Sequence, residues 1–167
     1  MRGRRRIRLT AFDRIDYQIL QILKQDARAS NAAIARQVRI PERTVHHRVR
    51  RLLEGGYIRM VALVNPKIFG YSLAVDIVCE IDLDQMQQAT QALVQMPEVS
   101  YVAISTGDQD ISLQALFKDV DEMQDFITNK LYRVPGMRRT RTVIVPQIVK
   151  DTYDWIPPEE YFESKHP

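Results

Sequence analysis

A single cysteine, Cys79, rules out an intramolecular disulfide and any cysteine-built metal cluster. It lies in an apolar alternating run, the setting of a buried structural thiol rather than a nucleophile. No window approaches the roughly 18 consecutive apolar residues that a membrane helix needs. The basic start "MRGRRRIRLT" is followed by no apolar stretch of signal-peptide length, so a cytoplasmic protein with no membrane partner is expected. Histidine is scarce: His46, His47 and His166 are all there are. The adjacent pair diverges by about 100° on a helix, with no third ligand nearby. No metal site, cofactor or catalytic residue is expected, and there is no internal repeat.

The first third of the chain also lacks acid. Residues 1–59 carry fifteen Lys+Arg against five Asp+Glu, a balance of +10, whereas the remaining 108 carry nine against sixteen, a balance of −7. The net charge of +3 therefore hides two halves that suit different partners. A basic half fits phosphate backbones, and the acidic half does not. The apolar share of 45% and charged share of 27% are those of a globular chain.

What is present reads as a sequence of elements. After a basic arm, residues 1–11, "FDRIDYQILQILKQD" sets Ile15, Ile19, Ile22 and Leu23 on one helical stripe with Asp13 as its cap. "SNAAIARQV" follows, capped by Ser30, with Ala33, Ile34 and Val38 inward. Pro41 opens a third helix, which Gly55 and Gly56 end. Two short helices, a tight turn and a longer basic helix make a helix-turn-helix domain over residues 12–57. Residues 58–70 read as an extended linker or wing.

From Tyr71 the period changes to two. Leu73, Val75, Ile77, Cys79, Ile81 and Leu83 are apolar while Asp76, Glu80 and Asp82 point the other way, as in a half-buried antiparallel strand. Residues 84–96 read as a helix, 99–106 and 111–117 as a hairpin around "GDQD", 119–134 as a second helix, and 137–149 as a last strand that Pro146 confines to an edge or interrupts. The order β-α-β-β-α-β over residues 71–149 is ferredoxin-like. The tail, residues 150–167, shows no periodicity, although Trp155, Tyr161 and Phe162 offer docking groups.

On the third helix, Val45, Val49 and Leu52, with Leu53 at the margin, form the seat on the other two helices. Arg43, His46, His47, Arg50 and Glu54 fall on the opposite face, and Thr44, Arg48 and Arg51 on a flank. The first turns of a recognition helix reach base edges, which makes Arg43, Thr44, His46 and His47 the expected readers. Arginine can hold guanine O6 and N7 together, and a threonine methyl can meet that of thymine. Arg48, Arg50 and Arg51 are assigned to phosphates, and Ser30 and Asn31, at the start of the second helix, complete the expected DNA-binding set. The arm's "RGRRRIR" leaves three roles open: groove threading, counterion release, or disorder.

These residues carry a resemblance to the Lrp/AsnC (feast/famine) transcriptional regulators over about residues 12–149. It rests on Asp13, Asp16, Ile19, Leu20 and Leu23, on "TVHHRVRRL" and "GYI", and on Asn65, Pro66 and Gly70. "GDQD" (107–110) and "VPGM" (134–137) continue it. The resemblance implies an α+β chain, an N-terminal winged helix-turn-helix domain followed by a ferredoxin-like βαββαβ sensor domain. It also implies homodimers through the sensor sheets that assemble to octamers on double-stranded DNA, and a small amino acid bound between sensor domains. Gly107, Asp108, Gln109, Asp110, Thr140 and Thr142 match positions near that effector. Relatives often carry an aromatic residue where this chain has Gln109. The residues themselves allow "GDQD" to be only a hairpin turn. Two alternatives to a sequence-specific regulator stand beside it: a nucleoid-packing protein of little sequence preference, and an enzyme of the siroheme-decarboxylase kind, which shares the architecture.

Overall fold

The computed structural model describes residues 12–150 and 155–163. The basic arm and its three roles, like His166, lie outside the described residues. The chain divides into two compact units, Met1–Ala62 with Lys150–Pro167, and Leu63–Val149.

In the first unit Asp13 starts α1 (Arg14–Gln25) through a reciprocal cap. Its carboxylate accepts from the Asp16 N–H at 3.0 Å, and the Asp16 carboxylate accepts from the Asp13 N–H at 3.1 Å. The Ser30 hydroxyl accepts from the Ala33 N–H and opens α2 (Asn31–Val38). Pro41 stands one residue before α3 (Glu42–Glu54) rather than inside it. At the far end Gly56 takes φ 71°, and the N–H groups of Gly56 and Tyr57 turn back to the carbonyls of Leu53 and Leu52. Ile19, Leu23, Ile34, Val45 and Leu52 make the core of the three helices, with Ile15, Ile22, Val38, Ile40 and Val49 packed around them.

Residues 155–163 of the tail are more ordered than their aperiodic sequence suggests. A short helix, α6 (Glu160–Glu163), buries Phe162 to 5% exposure. Its ring lies 5.1 Å from that of Tyr17 and 6.3 Å from that of Phe12, and Glu159 pairs with Arg14 at 3.2 Å. Trp155, by contrast, stays 65% exposed.

Residues 58–65, expected to be extended, join none of the four strands, and Pro66–Phe69 form a short 3-10 turn capped by Asn65. Without a facing strand edge the backbone of such a segment gains no ladder. In the second unit the sheet order is β2-β3-β1-β4, all antiparallel neighbours. Its strands are β1 (Leu73–Ile81), β2 (Val99–Ile104), β3 (Ile111–Phe117) and β4 (Met137–Val145). Between β1 and β2 a 3-10 turn, Leu83–Gln85, leads into α4 (Met86–Val94); α5 (Val120–Asn129) lies between β3 and β4. The second helix is shorter than its apolar pattern suggests: it gives way to a 3-10 turn, Leu131–Arg133, that buries Leu131. Val134 is extended, as a residue before proline prefers. β4 is an edge strand and ends immediately before Pro146.

Period-two alternation puts Val75, Ile77, Cys79 and Ile81 of β1 on the same side as Ile111, Leu113, Ala115 and Phe117 of β3. Ala89 and Leu93 of α4 and Met123 and Phe126 of α5 close over them. Burial raises the Cys79 thiol to about 11, so it packs as an inert apolar group. Among the described residues no helix is long and apolar enough to cross a membrane.

Truncating the docked ring should reach α1. Phe162→Ala is expected to destabilise the N-terminal unit by about 2–4 kcal/mol, read as faster amide hydrogen exchange along α1 with β1 and β3 unchanged. Unaltered exchange in α1 would mean that the tail rests on the unit without supporting it.

Candidate nucleic-acid interface and sensor cavity

The basic helix α3 sorts its cations by where the fold turns them. Val45 and Leu52 are buried against α1 and α2, so the flank bearing Arg48 and Arg51 faces the N-terminus of α1. There Asp16, with no exposed surface, receives Arg48 Nη1 at 3.0 Å on one oxygen and Arg51 Nη2 at 2.7 Å on the other. Arg48 also reaches Asp13 at 2.8 Å, and the Arg51 guanidinium stands 5.4 Å from the Phe12 ring centre. Burial favours neutral Arg48, but its hydrogen bonds to Asp13 and Asp16 outweigh that and raise its pKa. Burial likewise pulls the Asp13 carboxyl up, and the Asp16 N–H and Arg48 together hold it below its ordinary value. Arg48 and Arg51, which the sequence reading sent to phosphates, spend guanidinium nitrogens on Asp13 and Asp16, with the Arg51 side chain still 38% exposed. They brace the motif.

The remaining members of the expected set divide further. Arg43, His46, His47 and Arg50 are exposed, and Thr44 is half-buried. Arg50 pairs with Glu54 on the surface at 3.3 Å. Ser30 spends its hydroxyl on the α2 cap. Asn31 Nδ2 and His46 Nδ1 lie 3.3 Å apart, which joins the start of α2 to the exposed face of α3. Arg36, Arg39 and Arg43 make no ion pair with any described residue. Arg36 and Arg39 are absent from the sequence-based set; charge alone does not separate them from the braced arginines.

In the second unit, a cavity of about 410 Å³ opens where β1, β4 and the β2–β3 turn meet. It is lined by Val78, Cys79, Glu80, Asp108, Gln109, Arg139, Thr140 and Arg141. Three expected effector residues, Asp108, Gln109 and Thr140, are among these. The other three are not. Gly107 supplies the turn at φ 127°. Asp110 faces the backbone: its carboxylate accepts from the Ile81 N–H at 2.7 Å, and its own N–H donates to the Cys79 carbonyl at 3.0 Å. Thr142 stands opposite Ile77 and Thr140 opposite Cys79, both on the helix-covered side of the sheet, and of the two only Thr140 reaches the cavity wall. Thr140 Oγ1 lies 3.3 Å from Tyr132 Oη.

Besides Cys79, which belongs to the core, the lining residues that sequence reasoning missed are Val78, Glu80, Arg139 and Arg141, and these follow from the register. Glu80 pairs with Arg139 and Val78 with Arg141 on the face opposite the helices. The signal was the even positions of β1, read above only as pointing away from the core. Glu80 and Arg139 form a partly exposed ion pair across the strands at 3.9 Å.

The Asp16 brace should dominate the stability of the N-terminal unit. Asp16→Asn leaves two guanidinium groups facing a neutral amide, and a loss of about 3 kcal/mol or more is expected in denaturant melts of that unit. Asp13 adds a pH signature. Because its folded pKa is lowered, its contribution is complete above the unfolded value of 3.8 and is lost as pH falls through the lower folded value. An acid titration of Asp13→Asn should therefore be flatter than that of the wild type below pH 3.8; superposable curves would contradict the assignment.

Comparison with known proteins agrees with both halves. A winged helix-turn-helix DNA-binding family matches residues 12–59, and the Lrp/AsnC ligand binding domain matches residues 75–155. An uncharacterised HTH-type transcriptional regulator of Pyrococcus abyssi is 36% identical over 147 residues, 87% of this chain and 93% of that protein. Among solved structures, Escherichia coli AsnC is 27% identical with a TM-score of 0.78, covering 84% of this chain and 97% of that one. A transcriptional regulator of Neisseria meningitidis, solved as its L-methionine complex, is 25% identical with a TM-score of 0.82, covering 87% and 97%.

Proposed function

The chain belongs to the Lrp/AsnC family of helix-turn-helix transcriptional regulators, and from that premise we propose that it binds operator DNA sequence-specifically, as a dimer or higher assembly on paired half-sites. The observation that carries this reading is the sorting of cations on α3. Arg48 and Arg51 are held by Asp13 and Asp16, while Arg43, His46 and His47 project from the first turns, exposed and with no ion pair to any described residue. The exposed set is of the kind that reads base edges in a major groove. Asn31 and Arg50 flank it, and Ser30 contributes through its cap.

Assembly is assigned to the sheet face that the helices leave uncovered. Ala74, Val78, Leu116, Tyr101, Val143 and Val145 lie on it, and Tyr101 and Val143 are 57% and 50% exposed. A two-fold pair would set its recognition helices in successive major grooves, about 34–36 Å apart or a multiple of that. The protein acts as a regulator and not as a catalyst.

The sensor cavity takes a small amino acid. Its volume of about 410 Å³ is of ligand size. Arg139 and Arg141 suit a carboxylate, and Asp108 and Glu80 an ammonium. Gln109 offers an amide where an apolar effector would meet an aromatic ring. Effector binding then biases the assembly through unequal affinity for its states.

Two measurements test these assignments. Anisotropy of a labelled fragment from upstream of the protein's own gene, against unrelated DNA of equal length, should show a preference of at least about 10³ that Arg43→Ala abolishes. Equal, steeply salt-dependent affinity for both would point instead to nucleoid packing, and no binding at low salt would remove the DNA reading. For the cavity, a thermal-shift series with the proteinogenic L-amino acids should single out one or a few that raise the sensor unit's midpoint, with the shift lost in Asp108→Ala. A wild-type protein indifferent to all of them would refute the effector assignment.

A further inference from the structure

The turn between α2 and α3 requires a left-handed residue, and the chain puts an arginine there. Arg39 sits at φ 57° and ψ 44°. It is the only residue other than glycine with positive φ among the described residues. The N–H groups of Arg39 and Ile40 both return to the Ala35 carbonyl, the latter at 3.3 Å, and Ile40 packs against the core of the unit. These bonds use backbone alone, and glycine would make them without crowding a Cβ against the following carbonyl. Asparagine and aspartate tolerate this conformation through local side-chain bonds; arginine has no such compensation.

The side chain therefore gains nothing from the turn it strains. Arg39 is exposed and makes no ion pair with any described residue. It lies four residues before Arg43, at the junction of the two helices that a helix-turn-helix reader brings to a duplex. Strain retained without local reward, at a free cation beside a reading face, is the pattern of a functional contact.

We propose that Arg39 is a phosphate clamp: its guanidinium grips a backbone phosphate bordering the groove that the first turns of α3 enter, and so fixes the angle of the helix. The inference rests on the DNA-binding reading above and adds a contact to it. The planar fork suits two phosphate oxygens at once, which an ammonium cannot match. A phosphate contact carries no sequence information, so the clamp should act on operator and unrelated DNA alike.

The test is anisotropy on both the upstream fragment and an unrelated duplex across a salt series, with thermal melts, for wild type, Arg39→Gly and Arg39→Lys. Arg39→Gly relieves the turn, so its melting midpoint should hold or rise. Its affinity for both DNAs should fall about five- to tenfold per reader near 0.1 M salt, with the slope of log affinity against log salt smaller by about 0.9 per reader. Arg39→Lys should keep the wild-type slope with intermediate affinity. Wild-type affinity and slope in Arg39→Gly would overturn the clamp and leave a turn residue tolerated for no purpose. A drop in melting midpoint together with affinity would also overturn it, by assigning the residue to folding. Failure of the wild type to bind either DNA would overturn the DNA reading and the clamp with it, an outcome visible before any variant is compared.

Discussion

The carboxylate of Asp16 holds the N-terminal unit in its working shape. It has no exposed surface and takes two guanidinium groups from α3, one on each oxygen, while accepting the Asp13 N–H that begins α1. A buried charge is tolerable only when its lone pairs are met by well-placed donors, and here both oxygens are. The same contacts cap α1 and seat α3 on it. Apolar packing alone, through Ile19, Ile34, Val45 and Leu52, would bury the helices but leave their rotation about the contact loosely defined. The ion network fixes it.

That constraint sets two groups of arginines in the basic half apart. Those within reach of Asp13 and Asp16 are consumed by the fold, and their charge is largely cancelled where it sits. Arg36, Arg39 and Arg43 stand at the surface with no ion pair to any described residue. Among the described residues, arginines without an ion pair therefore stand near the α2–α3 turn and the start of α3, and Arg50, further along, pairs with Glu54.

The sensor unit follows a different logic, in which alternation does most of the work. One face of β1 and β3 is apolar and covered by α4 and α5, and strand geometry obliges the other face to carry what remains. Because β4 pairs with β1 at the edge, Arg139 and Arg141 come to stand beside Glu80 and Val78, next to the β2–β3 turn. A polar cavity arises there as a by-product of register. Asp110 makes this possible by tying the turn to the β1 backbone, which leaves Asp108 and Gln109 at the cavity wall.

Much of this was legible from residue order. The 3.6 period of α1, the caps at Asp13 and Ser30, the glycines ending α3 and the strict alternation of β1 are local properties, set by backbone geometry within a few residues. The order of elements followed from them, while the family came from the resemblance that the motifs and their spacing carry. What sequence could not decide was which like residues do unlike things. Arg48 and Arg43 are the same residue five positions apart, and only the placement of Asp16, more than thirty residues away in the chain, makes one a brace and leaves the other free. Phe162 looked like any aromatic in an aperiodic tail until α1 offered it a surface. Local order determined the elements, because hydrogen bonding and side-chain period act over one or two turns. The tertiary structure decided the roles of charges and rings, because a charge or a ring takes its function from the partner that long-range packing brings to it.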